Sequence, residues 1–219
     1  MGSSLSAERA VVDIGRRLHE RGMVAGTDGN VSVRLDDDRI MVTPSGLAKG
    51  RLADNDMVIV DVNGKLLQGN GSPSSEVAMH LCVYRSRPEI RACVHSHAPY
   101  ATAFAVAGIQ PGDDVLPEVV VAVGRVPLTE YAPPGTEAVR RSIEPHLESC
   151  NAMLMRNHGL LTIGRSLEEA YCRHELVEHY LKILFLARQL GNVEAIPSDD
   201  FERLENIRRK LDEVRNEKT

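Results

Sequence analysis

The chain has 219 residues, 42% of them hydrophobic and 26% charged, with a formal net charge of -5, which is the profile of a globular protein long enough for one large domain with a substantial core. The negative balance excludes an extended basic footprint for nucleic acid, although a small phosphorylated ligand needs only a local cluster of donors. The longest apolar windows, 101–107 and 119–123, fall far short of the ~20 residues a membrane helix needs, and the opening Met1-Gly2-Ser3-Ser4-Leu5-Ser6 lacks the basic-then-apolar layout of a signal peptide, so the sequence reads as one soluble, cytoplasmic domain over residues 1–219.

In chain order, apolar residues recur at near-helical spacing over 5–22, with Gly22 as a natural stop, so an amphipathic helix opens the fold. The turn-forming Gly26-Thr27-Asp28-Gly29-Asn30 leads into alternating residues at 31–35 and 39–43, two strands joined across Asp36-Asp37-Asp38. Thr43-Pro44-Ser45-Gly46 is a further tight turn, and residues 57–62 form a third strand that ends at the hairpin signal Asn63-Gly64. The loop 69–75 supplies Pro73, Ser74 and Ser75 as helix-starting residues, which places Glu76 in the first turn of a helix over 76–84. A buried strand is expected at 90–94, a short helix at 100–106 and a buried strand at 119–123. Tyr131-Ala132-Pro133-Pro134-Gly135-Thr136 caps a helix over 137–147; strands at 151–155 and 160–163 flank Asn157-His158-Gly159; helices over 167–190 and 199–214 finish the chain. Helices flank a run of hairpin-connected strands instead of alternating strictly with them, which favours a mainly antiparallel sheet covered by helices over a doubly wound parallel one.

Val94-His95-Ser96-His97-Ala98 is the first stretch with chemistry in it, because strand side chains alternate and His95 and His97 therefore share one face where they can converge on an ion. The same tripeptide also fits two polar residues where a strand leaves the core. An open catalytic zinc site wants a third protein ligand, and His158 at a hairpin tip is the best candidate, its alternative being an ordinary polar turn residue. Glu76 reads as a general base, a fourth metal ligand or simply an acid complementing a helix dipole, the last being the commoner case for a first-turn Glu. Ser74 and Ser75 serve as caps or as an anion site, and Gly29-Asn30 and Ser45-Gly46 are turns able to aim backbone N–H groups at a phosphate. His174-Glu175-Leu176-Val177-Glu178-His179 imitates a helical zinc motif, but histidines five apart are rotated ~140° from one another and cannot easily share an ion. His19, His80 and His146 lack partners, and Cys82, Cys93, Cys150 and Cys172 form no Cys-x-x-Cys pair, so all four read as reduced, buried small hydrophobes.

Taken in order, Gly29-Asn30-Val31-Ser32, Thr43-Pro44-Ser45-Gly46, Ser74-Ser75-Glu76, His95-Ser96-His97 and Asn157-His158-Gly159 resemble the class II aldolase/adducin family, most closely its L-fuculose-phosphate aldolase group, over roughly residues 5–190. The resemblance implies a three-layer α/β/α fold around a mainly antiparallel sheet, assembled as a cyclic homotetramer with active sites at subunit interfaces. It implies that His95, His97 and His158 bind a divalent metal, zinc or another such as Mn2+ or Co2+, and that Glu76 is the catalytic base, able to sit on the metal when substrate is absent. Gly29, Asn30, Ser45, Gly46, Ser74 and Ser75 match the family's phosphate-binding positions.

The activity so implied is retro-aldol cleavage of a ketose 1-phosphate, such as L-fuculose 1-phosphate or a deoxy- or methylthio-pentulose 1-phosphate, to dihydroxyacetone phosphate and an aldehyde through a metal-stabilised enediolate. Sugar-phosphate 4-epimerases are similar in motif but carry Asp where Glu76 stands. Fuculose-phosphate aldolases place a neighbouring subunit's tyrosine just before the segment corresponding to 119–123, and here Glu118 occupies that register. Glu118 or Tyr131 then supplies the acid on the aldehyde side, or the reaction differs. An acid near this position also resembles methylthioribulose-1-phosphate dehydratases, and a decarboxylase of a phosphorylated acid is a further variant. A non-enzymatic adducin-like scaffold would have lost its ligands, whereas all three histidines and Glu76 stand here.

Overall fold

The structure, a computed structural model, describes residues 2–216; Met1 and residues 217–219, the outer limits of the domain expected over 1–219, lie outside them. Strands run over Asn30–Arg34 (β1), Arg39–Val42 (β2), Val58–Asp61 (β3), Leu66–Gln68 (β4), Ala92–Ser96 (β5), Ala152–Met155 (β6) and Gly159–Gly164 (β7). They pair in the order β4-β3-β2-β1-β5-β7-β6, and every pairing is antiparallel. Helices cover Gly2–Glu20 (α1), Val77–Ser86 (α2), Pro99–Ala107 (α3), Pro117–Ala122 (α4), Glu137–Leu147 (α5), Leu167–Leu190 (α6) and Ser198–Asn216 (α7).

The period-2 alternation of the strands divides their side chains between two cores. Val31, Met41, Ala92, Val94, Leu154 and Leu160 face one way, into a cluster with α1, α3 and α6. Ile40, Val42, Val58, Val60, Cys93, Leu161 and Ile163 face the other way, against α2 and α5. The sheet is thus the middle layer of an α/β/α sandwich, as expected, and each fully buried aliphatic side chain contributes ~1.5–3 kcal/mol to holding a helical layer on it.

Two expectations for secondary structure are corrected. The segment expected as a strand at 119–123 is the helix α4: Pro117 supplies a first-turn residue with φ already set, and Val119, Val120 and Val123 fall on one buried helical face. A β-branched run reads as strand by propensity, and packing of that face overrides it. The short strand β4 was not anticipated; it is the exposed partner that the Asn63-Gly64 turn leads into. At residue level, Glu76 sits just before α2 instead of inside its first turn, and Cys172 is exposed on α6, unlike buried Cys82, Cys93 and Cys150. Among the described residues no helix is long and apolar enough to cross a membrane.

A candidate metal centre at the end of the central strands

β5 carries His95 and Ser96 on opposite faces and ends there, leaving His97 just beyond the last paired residue. β7 begins at Gly159, so its pairing with β5, Ser96 opposite Leu160, brings His158 to the same end of the sheet. The imidazole ring centroids of His95, His97 and His158 are 5.4, 4.7 and 5.3 Å apart, and one nitrogen from each lies within 4.8 Å of the others. Gly159 permits that approach: a Cβ there would lie 2.5 Å from the Ser96 carbonyl oxygen and 2.8 Å from His97 Cδ2. The Nδ1–H of His95 donates to the Leu160 carbonyl at 2.9 Å, leaving His95 Nε2 as a lone pair facing the cluster. His95 Nε2, His97 Nε2 and Glu76 Oε1 are all buried with no hydrogen-bond partner. Imidazole nitrogens and a carboxylate oxygen converging without a hydrogen bond among them suit a divalent cation of the zinc type.

Glu76 enters from the start of α2. Its Oε1 lies 2.8 Å from His158 Nε2 and its Oε2 3.3 Å from His95 Nε2, both close contacts without hydrogen-bond alignment. Asn30, opposite His95 in the β1–β5 ladder, donates its side-chain N–H to Glu76 Oε2 at 2.9 Å. Burial pushes the Glu76 carboxyl up, but the His158 and His95 imidazoles outweigh it and hold the group well below the usual carboxylate range. Burial, followed by the proximity of His95 and His158, pushes His97 down, which favours the neutral ring a metal needs.

The turns expected to bind phosphate meet beside this cluster. Val31 N–H donates to Thr43 Oγ1 and Thr43 N–H to the Val31 carbonyl, tying the Gly29-Asn30 turn to the next one. Ser45 N–H donates to the Ser72 carbonyl and Pro44 bridges Pro73, which brings Ser45-Gly46 alongside Ser74-Ser75. Gly29 and Gly46 both have positive φ, at 70° and 77°, the conformation that turns successive N–H groups into a concave nest. Ser45, Gly46 and Ser75 are exposed, whereas Ser74 is buried and its Oγ accepts from Glu76 N–H at 3.3 Å.

Glu118 and Tyr131 are both exposed. Glu118 is exposed in the first turn of α4, a helix that packs on α6 and α7. Tyr131 is 57% exposed and lines a separate cavity of about 500 Å3 with Glu130, Arg141 and His146. A larger cavity, about 550 Å3, runs along α6 past Tyr100 and Cys172 and contains none of the three histidines.

Sequence reasoning missed the groups that hold the centre from behind. Ser96 Oγ lies 2.6 Å from His174 Nε2, and His174 Nδ1 lies 3.0 Å from Thr162 Oγ1, whose own proton goes to the Ala170 carbonyl. His174 therefore donates from Nδ1 and accepts from Ser96. Glu178, one turn further on, accepts from Tyr100 N–H and Ala101 N–H at the start of α3. His179 is exposed, so the helical zinc imitation is a structural clamp built from His174 and Glu178. His80 is likewise buried, 2.6 Å from Ser32 Oγ, so it does have a partner.

A family profile described as Class II Aldolase and Adducin N-terminal domain matches residues 9–185. The chain is similar to a 3-oxo-tetronate 4-phosphate decarboxylase of Haemophilus influenzae, 33% identical over 93% of this chain and 98% of the relative. It is also similar to an L-fuculose phosphate aldolase of Methanococcus maripaludis, 34% identical over 82% and 96% of the two chains. Among solved structures, an L-fuculose 1-phosphate aldolase superposes with a TM-score of 0.82 at 31% identity, covering 91% of this chain and 94% of its own. A continuous antiparallel sheet with three histidines and the α2 glutamate gathered at one end, in a chain that these proteins match over most of its length, makes this chain a member of the class II aldolase and adducin family.

Proposed function

We propose that the chain is a divalent-metal-dependent lyase that cleaves a short ketose 1-phosphate, L-fuculose 1-phosphate or a deoxy- or methylthio-pentulose 1-phosphate, to dihydroxyacetone phosphate and an aldehyde. The observation that carries it is the Glu76 carboxylate lodged between His95 and His158, beside three donor-rich turns. His95, His97 and His158 would hold the ion, zinc or alternatively Mn2+ or Co2+, with Glu76 as an added ligand when no substrate is bound. A divalent ion there would supply Lewis-acid stabilisation of negative charge developing on the substrate's oxygens.

The chain's own residues supply the rest. Gly29, Asn30, Ser45, Gly46, Ser74 and Ser75 fix the phosphate and hence the register of the sugar carbons. Loss of the proton from the C4 hydroxyl and breakage of C3–C4 releases the aldehyde and leaves an electron pair at C3, delocalised into the C2 carbonyl. Glu76 takes a proton from solvent and delivers it to C3, completing dihydroxyacetone phosphate, and does the reverse in synthesis. Glu118 of a neighbouring subunit, or Tyr131 there as the tyrosinate, would accept the C4 hydroxyl proton and return it to solvent, in a homotetramer whose sites lie between subunits. Both residues are exposed on the single chain and so open to a neighbouring subunit, and light scattering should give about four times the 24.1 kDa chain mass.

A second reading is favoured by the decarboxylase relative, which aligns with 93% of this chain. Loss of CO2 from a 3-oxo acid 4-phosphate leaves the same electron pair beside the same carbonyl, and Glu76 would protonate it equally. The carboxylate that leaves as CO2 is already deprotonated, so no proton acceptor on the aldehyde side is required. A coupled assay for dihydroxyacetone phosphate over a panel of ketose 1-phosphates and 3-oxo acid phosphates, with the co-product trapped as aldehyde or CO2, separates the two. No release from any member would overturn both.

A further inference from the structure

The β1–β5 ladder pairs Asn30 with His95 and Val31 with Val94. Continued one and two steps past the Asn30–His95 end, the same register sets Gly29 against Ser96 and Asp28 against His97. Gly29 makes this close approach feasible, since a Cβ there would lie 2.9 Å from the His95 carbonyl oxygen and its φ is 70°. Asp28 Oδ2 sits 3.4 Å from His97 Nδ1, the ring nitrogen opposite the unpartnered Nε2. Its other oxygen, Oδ1, accepts from Ala25 N–H at 2.7 Å, which fixes the carboxylate across its own turn. The turn is pinned in addition by Lys49, whose buried Nζ donates to the Thr27 carbonyl at 3.0 Å and the Leu47 carbonyl at 2.7 Å.

We infer that Asp28 is a positioning residue for His97: its carboxylate selects the tautomer with the proton on Nδ1 and so keeps the Nε2 lone pair aimed into the three-histidine cluster. His95 achieves the same through the Leu160 carbonyl; His97 has no carbonyl in that place and uses a charge. At 3.4 Å the contact acts by electrostatic attraction and not as an aligned hydrogen bond. A carboxylate behind a ligating imidazole raises its basicity and fixes its orientation. The inference rests on the reading of the cluster as a metal centre.

The two oxygens of Asp28 divide their work, and that makes Asp28→Asn the sharp variant. With its Oδ1 retained on Ala25 N–H, the amide would turn an NH2 donor toward His97 Nδ1. That donor favours the opposite tautomer, with the proton on Nε2 where the ion would bind. Zn2+ titrated against a chromophoric chelator should bind Asp28→Asn and Asp28→Ala about 10- to 100-fold more weakly than wild type. A purely structural role in the turn predicts that Asn, which keeps the Ala25 bond, is harmless, so wild-type Zn2+ affinity in Asp28→Asn would overturn the inference. Nitrogen NMR of His97 in the metal-free wild type needs no variant to fold: predominance of the Nδ1–H tautomer is expected, and predominance of Nε2–H overturns it. Failure of the wild type to take up Zn2+ would remove the metal centre, while the tautomer measurement still decides the role of Asp28.

Discussion

At Glu76 two opposing forces meet, burial that favours a neutral acid and two imidazoles that favour the carboxylate, and the imidazoles prevail. A base held ionised in a half-buried position would have its proton affinity set by any cation sharing the site, and would gain proton affinity once no longer beside that cation. Glu76→Gln keeps the shape and the Asn30 contact but cannot carry a proton. We expect it to retain bound metal and lose turnover by about 10²- to 10⁴-fold; metal content and steady-state rate measured on one preparation check this, and undiminished turnover would refute the assigned role. The His95-x-His97 pair was legible because strand alternation is local. Glu76 alone was indistinguishable from a helix-dipole acid, since the partner that orients it, Asn30, is 46 positions away. Asp28 was legible only as a turn residue for the same reason.

At the scale of the element, β5 serves two masters. Its odd-numbered side chains Cys93 and His95 face α2 and its even-numbered Ser96 reaches His174 on α6, so one strand carries chemistry on one side and its own anchorage on the other. Glu178 extends the anchorage by accepting two backbone N–H groups at the start of α3, two residues beyond His97. Glu178→Ala strands those two buried donors and should destabilise the chain by ~1–3 kcal/mol in chemical denaturation, with Glu178→Gln recovering part of the loss. An unchanged midpoint for Glu178→Ala would mean that water replaces the carboxylate there. The clamp was invisible in the sequence because the spacing of His174 and Glu178 speaks only of a shared helix face, not of what that face meets. The misread α4 shows the converse: its valines announce burial correctly, and only tertiary packing tells that the buried stripe is helical.

Over the whole molecule, buried neutral histidines link stability to pH. Burial, reinforced by His95, pushes His80 and His174 from 6.5 down to about 3. Between those values the unfolded chain binds more protons than the folded one, so stability is full above pH 6.5 and falls as pH drops through the window to 3. The slope approaches ~1.4 kcal/mol per pH unit for each histidine. Denaturant midpoints of the metal-free protein should therefore decline steadily below pH 6.5, and a flat profile would mean that the clamps accept protons in place. Removing the ion with a chelator should abolish turnover, and restoring Zn2+, Mn2+ or Co2+ should recover it and raise the melting temperature by preferential binding to the folded state. The order of the layers was readable from the sequence because hairpin-linked strands and long amphipathic helices leave few other arrangements. The position of Glu118 and Tyr131 relative to a site was not, because each is exposed on its own chain.

The pairing of His95 with the Leu160 carbonyl joins residues 65 positions apart, and that fact fixes when the centre comes into being during folding. A zinc finger gathers ligands that are near neighbours in sequence, so the ion can nucleate the fold. Here no two of the three strands that frame the histidines can meet without closing a long loop, and the ligand set does not exist until β1, β5 and β7 are zipped together. An ion bound there would consequently be a latecomer that captures a finished sheet. The chain would reach its native topology before any ion binds, and a metal could be loaded or exchanged afterwards without refolding the protein.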